Sequence, residues 1–334
     1  LVAGIFEFCG AFFAGGHVTD TVRKGMLDLS MIDRDQLIYG MLASLAAAGT
    51  LLVGATRFGL PVSTTHSIVG AIVGFGAVAI GPDAVKWDKI THIVLSWLSS
   101  PLLSGVIAFF IFQITRSRVL DRPDPVAQIR KLGPVFFFFV FFIIGLVTLF
   151  KGLKPLNLDL NLGEALIGSI VLGFIGMGLG IFLIRRVNLG PEDPKNRFSR
   201  VERIFVVLQI LTACAIAFAH GSNDVANSIG PLAAVAHAVQ GMDLGSKAPV
   251  EPWMLAIGGV GIIVGLGTWG YRVMETVGKR ITELTPSRGF AAQLSAATTI
   301  VLASQMGIPI STTHTLVGAV LGVGLARGIG ALDL

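Results

Sequence analysis

A cluster of hydroxyl side chains occurs twice in this chain, each time in a stretch without charge. Residues 59–76 read GLPVSTTHSIVGAIVGFG and residues 307–324 read GIPISTTHTLVGAVLGVG, and eleven of the eighteen positions are identical. Proline disfavours a helical conformation in the residue before it, and Ser and Thr are favoured helix N-caps. The pattern therefore predicts two apolar segments that are interrupted, with a new helix beginning at each cluster.

The start of such a helix is suited to binding an anion. Its first N–H groups have no partner within the helix, and the helix dipole is positive there. Two such starts facing each other would hold a tetrahedral oxyanion without Arg or Lys. Hydroxyls that only cap or pack membrane helices are the alternative, but two near-identical copies favour function. The predicted anion ligands are Ser63, Thr64, Thr65, Ser311, Thr312 and Thr313.

A second candidate site lies at residues 219–234, which read AHGSNDVANSIGPLAA. Asp224 stands inside an otherwise apolar run, and a carboxylate within a membrane segment is costly enough to indicate function. Asn223, Asp224 and Asn227 offer the oxygen atoms that a hard cation such as Na⁺ requires. Gly221 permits a break in this helix, which would free backbone carbonyl groups for the same cation. A hydrogen-bonded contact between helices is the alternative interpretation.

Other polar residues in apolar stretches have several interpretations. Glu7 could be a cation ligand, a proton carrier or a structural partner. His66 and His314 follow the two hydroxyl clusters, and they either donate to the anion or pack between helices. The six His and two Cys residues show no metal-ligand spacing. No cofactor is predicted.

The composition is that of a protein with several membrane spans. Of the 334 residues, 53% are hydrophobic and 13% are charged, whereas soluble domains carry about 25% charged residues. Uncharged runs of about 20 residues, enough to cross a bilayer, recur along the chain, which predicts an all-α protein of the cell (inner) membrane. Basic residues concentrate in loops 116–131 and 185–203 and predict that both are cytoplasmic. The net charge of +5 therefore indicates topology and not nucleic-acid binding.

The chain also contains an internal repeat. Residues 15–25 (GGHVTDTVRKG) resemble residues 270–280 (GYRVMETVGKR) at an offset near 255. The predicted segments are a first repeat at 1–82, intervening helices with a basic linker at 83–203, and a second repeat at 204–334. Internal repeats are typical of secondary transporters. The counterpart of residues 219–234 would fall ahead of Leu1, so we expect the first repeat to lack its N-terminal part.

Four stretches together resemble the inorganic phosphate transporter (PiT) family. They are GSNDVANSIGP, the paired P-x-S-T-T-H, IFEFCG with TVRKG, and ITELTPSRGFAAQLSA. The resemblance implies secondary transport of inorganic phosphate driven by Na⁺ or H⁺, with Na⁺ preferred. It also implies two inverted repeats whose broken, re-entrant helices meet at the membrane midplane, where phosphate binds with cations beside it.

The resemblance also assigns roles by position. Asn223, Asp224 and Asn227 match the Asn-Asp-x-x-Asn element of the family, with Asn227 taken as a phosphate ligand and the other two as cation ligands. Glu7 matches a glutamate of the first repeat and is taken as a cation ligand. Gln293, where some members have glutamate, completes the predicted cation set. The first-repeat Asn-Asp motif of the family has no match here, so this chain as given is not expected to transport.

Two alternatives to phosphate transport stay open at this point. A sulfate permease of the same architecture would bind an anion of similar size and charge, but the Asp224 carboxylate favours phosphate, which can donate a proton. A membrane enzyme acting on phosphate esters would need a nucleophile or base with an orienting partner, and the sequence favours no such pair. Inorganic phosphate and the lipid bilayer are the expected partners. A homodimer is left open, and nucleic acid is not expected.

Overall fold

The protein is all-α in a computed structural model that describes residues 2–149, 160–191, 198–242, 250–280 and 284–328. These residues contain no strand, and a single isolated bridge joins Leu27 and Val85. The α-helices in the described residues are α1 (Val2–Ala14), α2 (Gly16–Lys24), α3 (Arg34–Arg57), α4 (Thr64–Ala79), α5 (Trp87–Thr115), α6 (Pro125–Val147), α7 (Leu162–Arg186), α8 (Ser199–Val239), α9 (Pro252–Arg280), α10 (Pro286–Gln305) and α11 (Thr312–Arg327). Short 3₁₀ turns occur at Leu29–Met31 and Pro82–Ala84, and a π-helical turn follows α5 at Arg116–Leu120.

Six of the described helices are long and apolar enough to cross a membrane. These spans are Arg34–Arg57, Trp87–Leu120, Pro125–Leu146, Leu162–Arg186, Ser199–Val239 and Pro252–Val273. Two shorter apolar helices, Val2–Ala14 and Thr64–Ala79, accompany them. The prediction of an all-α membrane protein is confirmed.

The chain divides into two compact units, and several helices contribute to both. The first unit comprises Leu1–Ser100, Phe218–Val277 and Ile300–His314, and the second comprises Pro101–Ala217, Gly278–Thr299 and Thr315–Leu334. The segments 1–82, 83–203 and 204–334 were delimited by the sequence repeat rather than by compactness. They stay a prediction.

The first unit has an apolar core to which α2, α3, α4, α5 and α8 contribute. Its members include Val22, Met41, Ile72, Ile93 and Ala226, all of which are buried. Burial of such side chains contributes roughly 1.5–3 kcal/mol each for the larger ones. The core therefore holds α4 against α3 and fixes the position of the first hydroxyl cluster, residues 63–65, where α4 begins.

Helices α1 and α8 pack closely in the first unit through two glycines. A Cβ atom on Gly10 would overlap the carbonyl oxygen of Phe218, and a Cβ atom on Gly221 would overlap that of Glu7. Because α8 is continuous from Ser199 to Val239, the helix break that Gly221 would permit does not occur. Gly221 instead allows two backbones to approach, and the contact brings Glu7 next to α8.

The second unit contains the tightly packed pair α6 and α7. Three glycines of α7 face phenylalanine rings of α6, and a Cβ atom added to any of them would overlap a ring. The facing pairs are Gly173 with Phe138, Gly176 with Phe141, and Gly180 with Phe137. Small residues on one helix thus let two membrane helices pack side by side.

Candidate functional site

Both hydroxyl clusters begin a helix, as the sequence predicts. Helix α4 begins at Thr64 and α11 at Thr312. The serine before each helix is its N-cap: Ser63 Oγ accepts a hydrogen bond of 3.2 Å, and Ser311 Oγ one of 3.1 Å, from the N–H three residues later. Each helix start keeps further N–H groups without an intrahelical acceptor. The interruptions between α3 and α4 and between α10 and α11 are therefore confirmed.

The Asp224 carboxylate connects the two helix starts within the first unit. Thr64 Oγ1 donates to Asp224 Oδ2 at 2.6 Å, and Thr312 Oγ1 donates to the same oxygen at 3.3 Å. These two threonines occupy equivalent positions in the repeated motif. Asp224 is only 8% exposed. One buried carboxylate oxygen thus accepts a hydroxyl group from each copy of the motif.

Asn227 extends the same network by one helical turn of α8. Its Nδ2 donates to Thr64 Oγ1 and to Thr65 Oγ1, both at 3.2 Å. Thr65 Oγ1 in turn donates to the carbonyl of Ile310, in the turn before α11, at 3.0 Å. The structure therefore brings Asn227 together with hydroxyls of the first cluster and, through Thr65, with the second helix break.

Asn223 lies on the other side of Asp224 along α8. Its Nδ2 donates to Ser304 Oγ at 3.0 Å and to the carbonyl of Ile308 at 3.3 Å. Both acceptors belong to the end of α10 and the turn that follows it. Asn223 is fully enclosed, with 1% exposure. Its amide therefore ties α8 to the interruption between α10 and α11.

Three side-chain oxygens of this part of α8 are buried without a hydrogen-bond donor. Among the described residues, Asn223 Oδ1, Asp224 Oδ1 and Asn227 Oδ1 have no partner. Pro231 lies inside α8 and, lacking an N–H, leaves the carbonyl of Asn227 without its usual helical donor. Buried oxygens without donors are costly. They are the kind of ligand that a hard cation takes.

Glu7 reaches this network through His220, a residue that sequence reasoning missed. His220 Nδ1 lies 2.7 Å from Glu7 Oε2, and Nε2 lies 3.3 Å from Asp224 Oδ2. The Glu7 side chain is buried. Both contacts are hydrogen bonds at once only when the imidazole carries two protons or one carboxyl group is protonated. The available signal in the sequence was the i,i+4 spacing of His220 and Asp224 on one helix.

The remaining predicted residues have other surroundings. Gln293 belongs to the second unit, where its Oε1 accepts a hydrogen bond from Thr212 Oγ1 at 2.9 Å. The rings of His66 and His314 meet edge to face with centroids 4.7 Å apart, and His66 lies 3.8 Å from the Trp97 ring. This geometry favours the packed interpretation of both histidines. Thr313 follows Thr312 in the first turn of α11.

The sequence of this chain is similar to those of known membrane transport proteins. A sequence model described as the phosphate transporter family matches residues 1–334. The chain belongs to this family. A Pyrococcus abyssi protein provisionally named a phosphate permease is 50% identical over 336 residues, covering 100% of this chain and 81% of the relative. A Haemophilus influenzae protein with the same provisional name is 48% identical over 337 residues, covering 100% of this chain and 80% of the relative.

A solved structure supports the same assignment. It is described as the sodium-dependent phosphate transporter and superimposes with a TM-score of 0.91 at 40% sequence identity, covering 98% of this chain and 80% of that chain. The resemblance to the phosphate transporter family that the motifs indicated is therefore confirmed. The contacts of Asp224 with Thr64 and Thr312 lie in the region that carried the resemblance.

Proposed function

We propose that this member of the phosphate transporter family carries inorganic phosphate across the membrane together with a cation, with Na⁺ preferred to H⁺. One observation carries the proposal: Asp224 Oδ2 accepts hydrogen bonds from Thr64 and Thr312, the threonines that begin the two interrupted helices. The proposal assigns transport and no chemical transformation of phosphate, in keeping with relatives that are named as permeases.

The phosphate ligands in this proposal are the two helix starts. The hydroxyls of Thr64 and Thr312 would turn from Asp224 to the phosphate oxygens, joined by unpaired N–H groups of α4 and α11. The other predicted phosphate ligands are Ser63, Thr65, Asn227, Ser311 and Thr313. The two helix starts would lie near the membrane midplane, and the repeats that supply them would be inverted.

The cation in this proposal makes phosphate binding next to Asp224 possible. Two like unit charges about 4 Å apart at an effective dielectric constant near 20 repel by about 4 kcal/mol. A cation bound to the free oxygens of Asn223 and Asp224 would remove that repulsion and allow the threonine hydroxyls to leave the carboxylate. Glu7 stays a predicted cation ligand, and His220 links its carboxylate to that of Asp224. Gln293 stays a predicted cation ligand of the second unit.

Na⁺ is preferred because the solved relative is named as sodium-dependent. Phosphate is preferred to sulfate because a protonated phosphate oxygen can donate to a carboxylate, whereas sulfate at neutral pH only accepts hydrogen bonds. The basic segments 116–131 and 185–203 include parts of α6, α7 and α8 in the structure. They are proposed to lie on the cytoplasmic side of the cell membrane. A homodimer stays a prediction.

Radiolabelled phosphate uptake tests the proposal. The full-length protein in proteoliposomes would be given an inward Na⁺ gradient, then a proton gradient alone, each with excess unlabelled sulfate. We expect uptake that requires Na⁺ and ignores sulfate, and we expect Asp224→Asn to abolish it because the cation loses its only charged α8 ligand. Asp88→Asn, at an exposed position of α5, is the matched control and should transport normally.

Other outcomes assign the site differently. Uptake driven by protons without Na⁺ would make Asp224 and Glu7 proton carriers. Competition by sulfate would make the protein a sulfate permease. Near-normal uptake by Asp224→Asn would contradict the assignment of Asp224 as a cation ligand.

A further inference from the structure

Two threonines outside the hydroxyl clusters make matching contacts with the two helix interruptions. Thr21 Oγ1, in α2, donates to the carbonyl of Gly307 at 2.7 Å. Thr276 Oγ1, in α9, donates to the carbonyl of Gly59 at 2.9 Å, with the carbonyl of Arg272 in its own helix as a more distant second acceptor at 3.2 Å. Each glycine stands in the turn that precedes a Ser-Thr-Thr cluster. Thr21 and Thr276 form a crossed threonine pair.

The internal repeat relates these contacts to each other. Residues 15–25 and 270–280 correspond at an offset of 255, which makes Thr276 the counterpart of Thr21. Residues 59–76 and 307–324 correspond at an offset of 248, which makes Gly307 the counterpart of Gly59. The two hydrogen bonds are therefore equivalent contacts, because the donors correspond to each other in one alignment and the acceptors correspond in the other. The threonine of each repeat contacts the glycine of the other repeat.

The glycine carbonyls need such a donor. Gly59 has φ +69° and Gly307 has φ +68°, a left-handed conformation that ends the preceding helix and turns the chain. The carbonyl beyond a helix end has no intrahelical donor, and in a membrane segment an unsatisfied carbonyl is costly. A Cβ atom on Gly59 would lie 3.3 Å from Thr276 Oγ1, which shows how closely the donor approaches.

We propose that Thr21 and Thr276 are positioning residues for phosphate transport, each fixing the helix start that the other repeat contributes to the phosphate site. This inference rests on the proposed function above. From each glycine, five residues lead to the first residue of α4 or α11. A turn anchored at its glycine therefore holds the hydroxyl cluster and the free N–H groups in place.

The two interruptions differ in how many side chains hold them. In the turn before α11, each of the four carbonyls from 307 to 310 accepts a hydrogen bond from a side chain. The donors are Thr21 for Gly307, Asn223 for Ile308, Trp97 for Pro309 and Thr65 for Ile310. In the turn before α4, the described residues outside α4 that donate from a side chain are both on α9: Arg272 donates to the carbonyl of Arg57 at 2.6 Å, and Thr276 donates to that of Gly59. Within α4, Ser67 Oγ donates to the carbonyl of Ser63 at 2.9 Å. Loss of Thr276 should therefore disturb its turn more than loss of Thr21.

Substitutions that remove only the hydroxyl test the proposal. In the full-length protein in proteoliposomes, Thr21→Val and Thr276→Val should each raise the KM for phosphate about three- to tenfold, the ratio that corresponds to one hydrogen bond. Thr276→Val should show the larger rise. The Na⁺ concentration for half-maximal uptake at saturating phosphate should stay unchanged, because none of the proposed Na⁺ ligands has Thr21 or Thr276 as a hydrogen-bond partner among the described residues.

Two kinds of control separate the hydroxyl from the side-chain shape. Thr21→Ser and Thr276→Ser keep the donor and should have a KM close to that of the unaltered protein. Thr268→Val removes a hydroxyl of α9 that donates only within its own helix and should also leave KM unchanged. If a valine variant does not fold, the alanine variant replaces it with the same expected rise.

Hydrogen–deuterium exchange gives a readout independent of transport. Thr21→Val should speed amide exchange in peptides covering 307–311 and leave 59–63 unchanged, and Thr276→Val should do the reverse. An exchange change in the repeat that carries the substitution, or serine variants as impaired as the valine variants, would overturn the crossed arrangement. So would an unaltered KM in both valine variants.

These experiments distinguish a failure of the crossed threonine pair from a failure of the proposed function. If Asp224→Asn abolishes uptake while both valine variants transport with unaltered KM, the crossed threonine pair is refuted and the proposed function stands. If Asp224→Asn transports normally but the valine variants show the crossed exchange pattern, the anchoring holds and the cation assignment fails.

Discussion

Single side chains decide the chemistry of the site. Asp224 Oδ2 has three potential donors in Thr64, Thr312 and His220, whereas Asp224 Oδ1 has none among the described residues. The donors hold the carboxylate in one orientation and leave its second oxygen for a cation. The sequence predicts that Asp224 and the threonines matter because their residue types are unusual in apolar runs. It does not predict which hydroxyl bonds which oxygen, since that depends on how distant helices pack.

At the residue scale, the contact between His220 and Glu7 predicts a measurable loss of stability. His220→Leu removes the donor 2.7 Å from the buried Glu7 carboxylate, and a buried acceptor left without its donor costs about 1–3 kcal/mol. We expect the melting temperature of the purified full-length protein to fall by a few degrees. Adding Glu7→Gln should restore part of the loss, because a neutral amide is less costly to bury than a carboxylate.

The matched control for this pair is His92→Leu, at an exposed position of α5, which should leave the melting temperature unchanged. Additive losses in the His220→Leu and Glu7→Gln double variant would show that the two side chains do not interact. That result would remove Glu7 from the network around Asp224.

At the scale of helices, features set by nearby residues were predictable from the sequence, and features set by contacts with distant helices were not. The starts of α4 and α11 were predictable because Pro, Gly and the capping serines act within a few residues of chain. The break that Gly221 permits does not occur, and the sequence could not exclude it because glycine is found both where a helix breaks and where two backbones approach. Only the neighbouring helix α1, more than 200 residues away in sequence, decides between these roles. The sequence offers no local signal of that neighbour.

The packing role of Gly221 makes a prediction opposite to that of a hinge. Gly221→Ala places a Cβ atom against the Glu7 carbonyl, so α1 and α8 must separate, and overpacking of this kind costs about 1–3 kcal/mol. We expect a lower melting temperature and a lower yield of folded protein. Gly261→Ala in α9, where an added Cβ meets nothing within 4 Å, is the control and should be neutral or slightly stabilising.

A hinge would respond in the other direction. If Gly221 were a flexible break, alanine would stiffen the helix and raise the melting temperature by the intrinsic preference of alanine for helices. A stabilised Gly221→Ala protein would therefore contradict the packing role.

At the scale of the whole chain, composition was the most informative feature. The apolar runs and the paired motifs sufficed to predict an all-α membrane protein of the phosphate transporter family, and both are confirmed. The two compact units were not predictable, because α5, α8, α9, α10 and α11 each contribute to both. A repeat in sequence reports common descent of segments, whereas compactness reports where side chains pack.

The distribution of basic residues predicts the orientation of the chain in the membrane. The 25 residues of α7 (Leu162–Arg186), at 1.5 Å per residue, are long enough to span about 30 Å of hydrocarbon. Its two ends therefore lie on opposite sides, with Arg185 and Arg186 at one of them. Because Arg and Lys favour the cytoplasmic side, we expect that end and loop 116–131 to be cytoplasmic and the other end to be outside.

Cysteine labelling in cells checks this orientation. In a full-length protein with Cys9→Ala and Cys214→Ala, a membrane-impermeant maleimide should label Gly163→Cys on intact cells and Pro123→Cys only in inside-out vesicles. Both positions are exposed, one at the start of α7 and one between α5 and α6. Unchanged phosphate uptake by each variant is the control for folding. Labelling of Pro123→Cys on intact cells would reverse the orientation and place the basic loops outside, in conflict with the charge rule from which the topology was predicted.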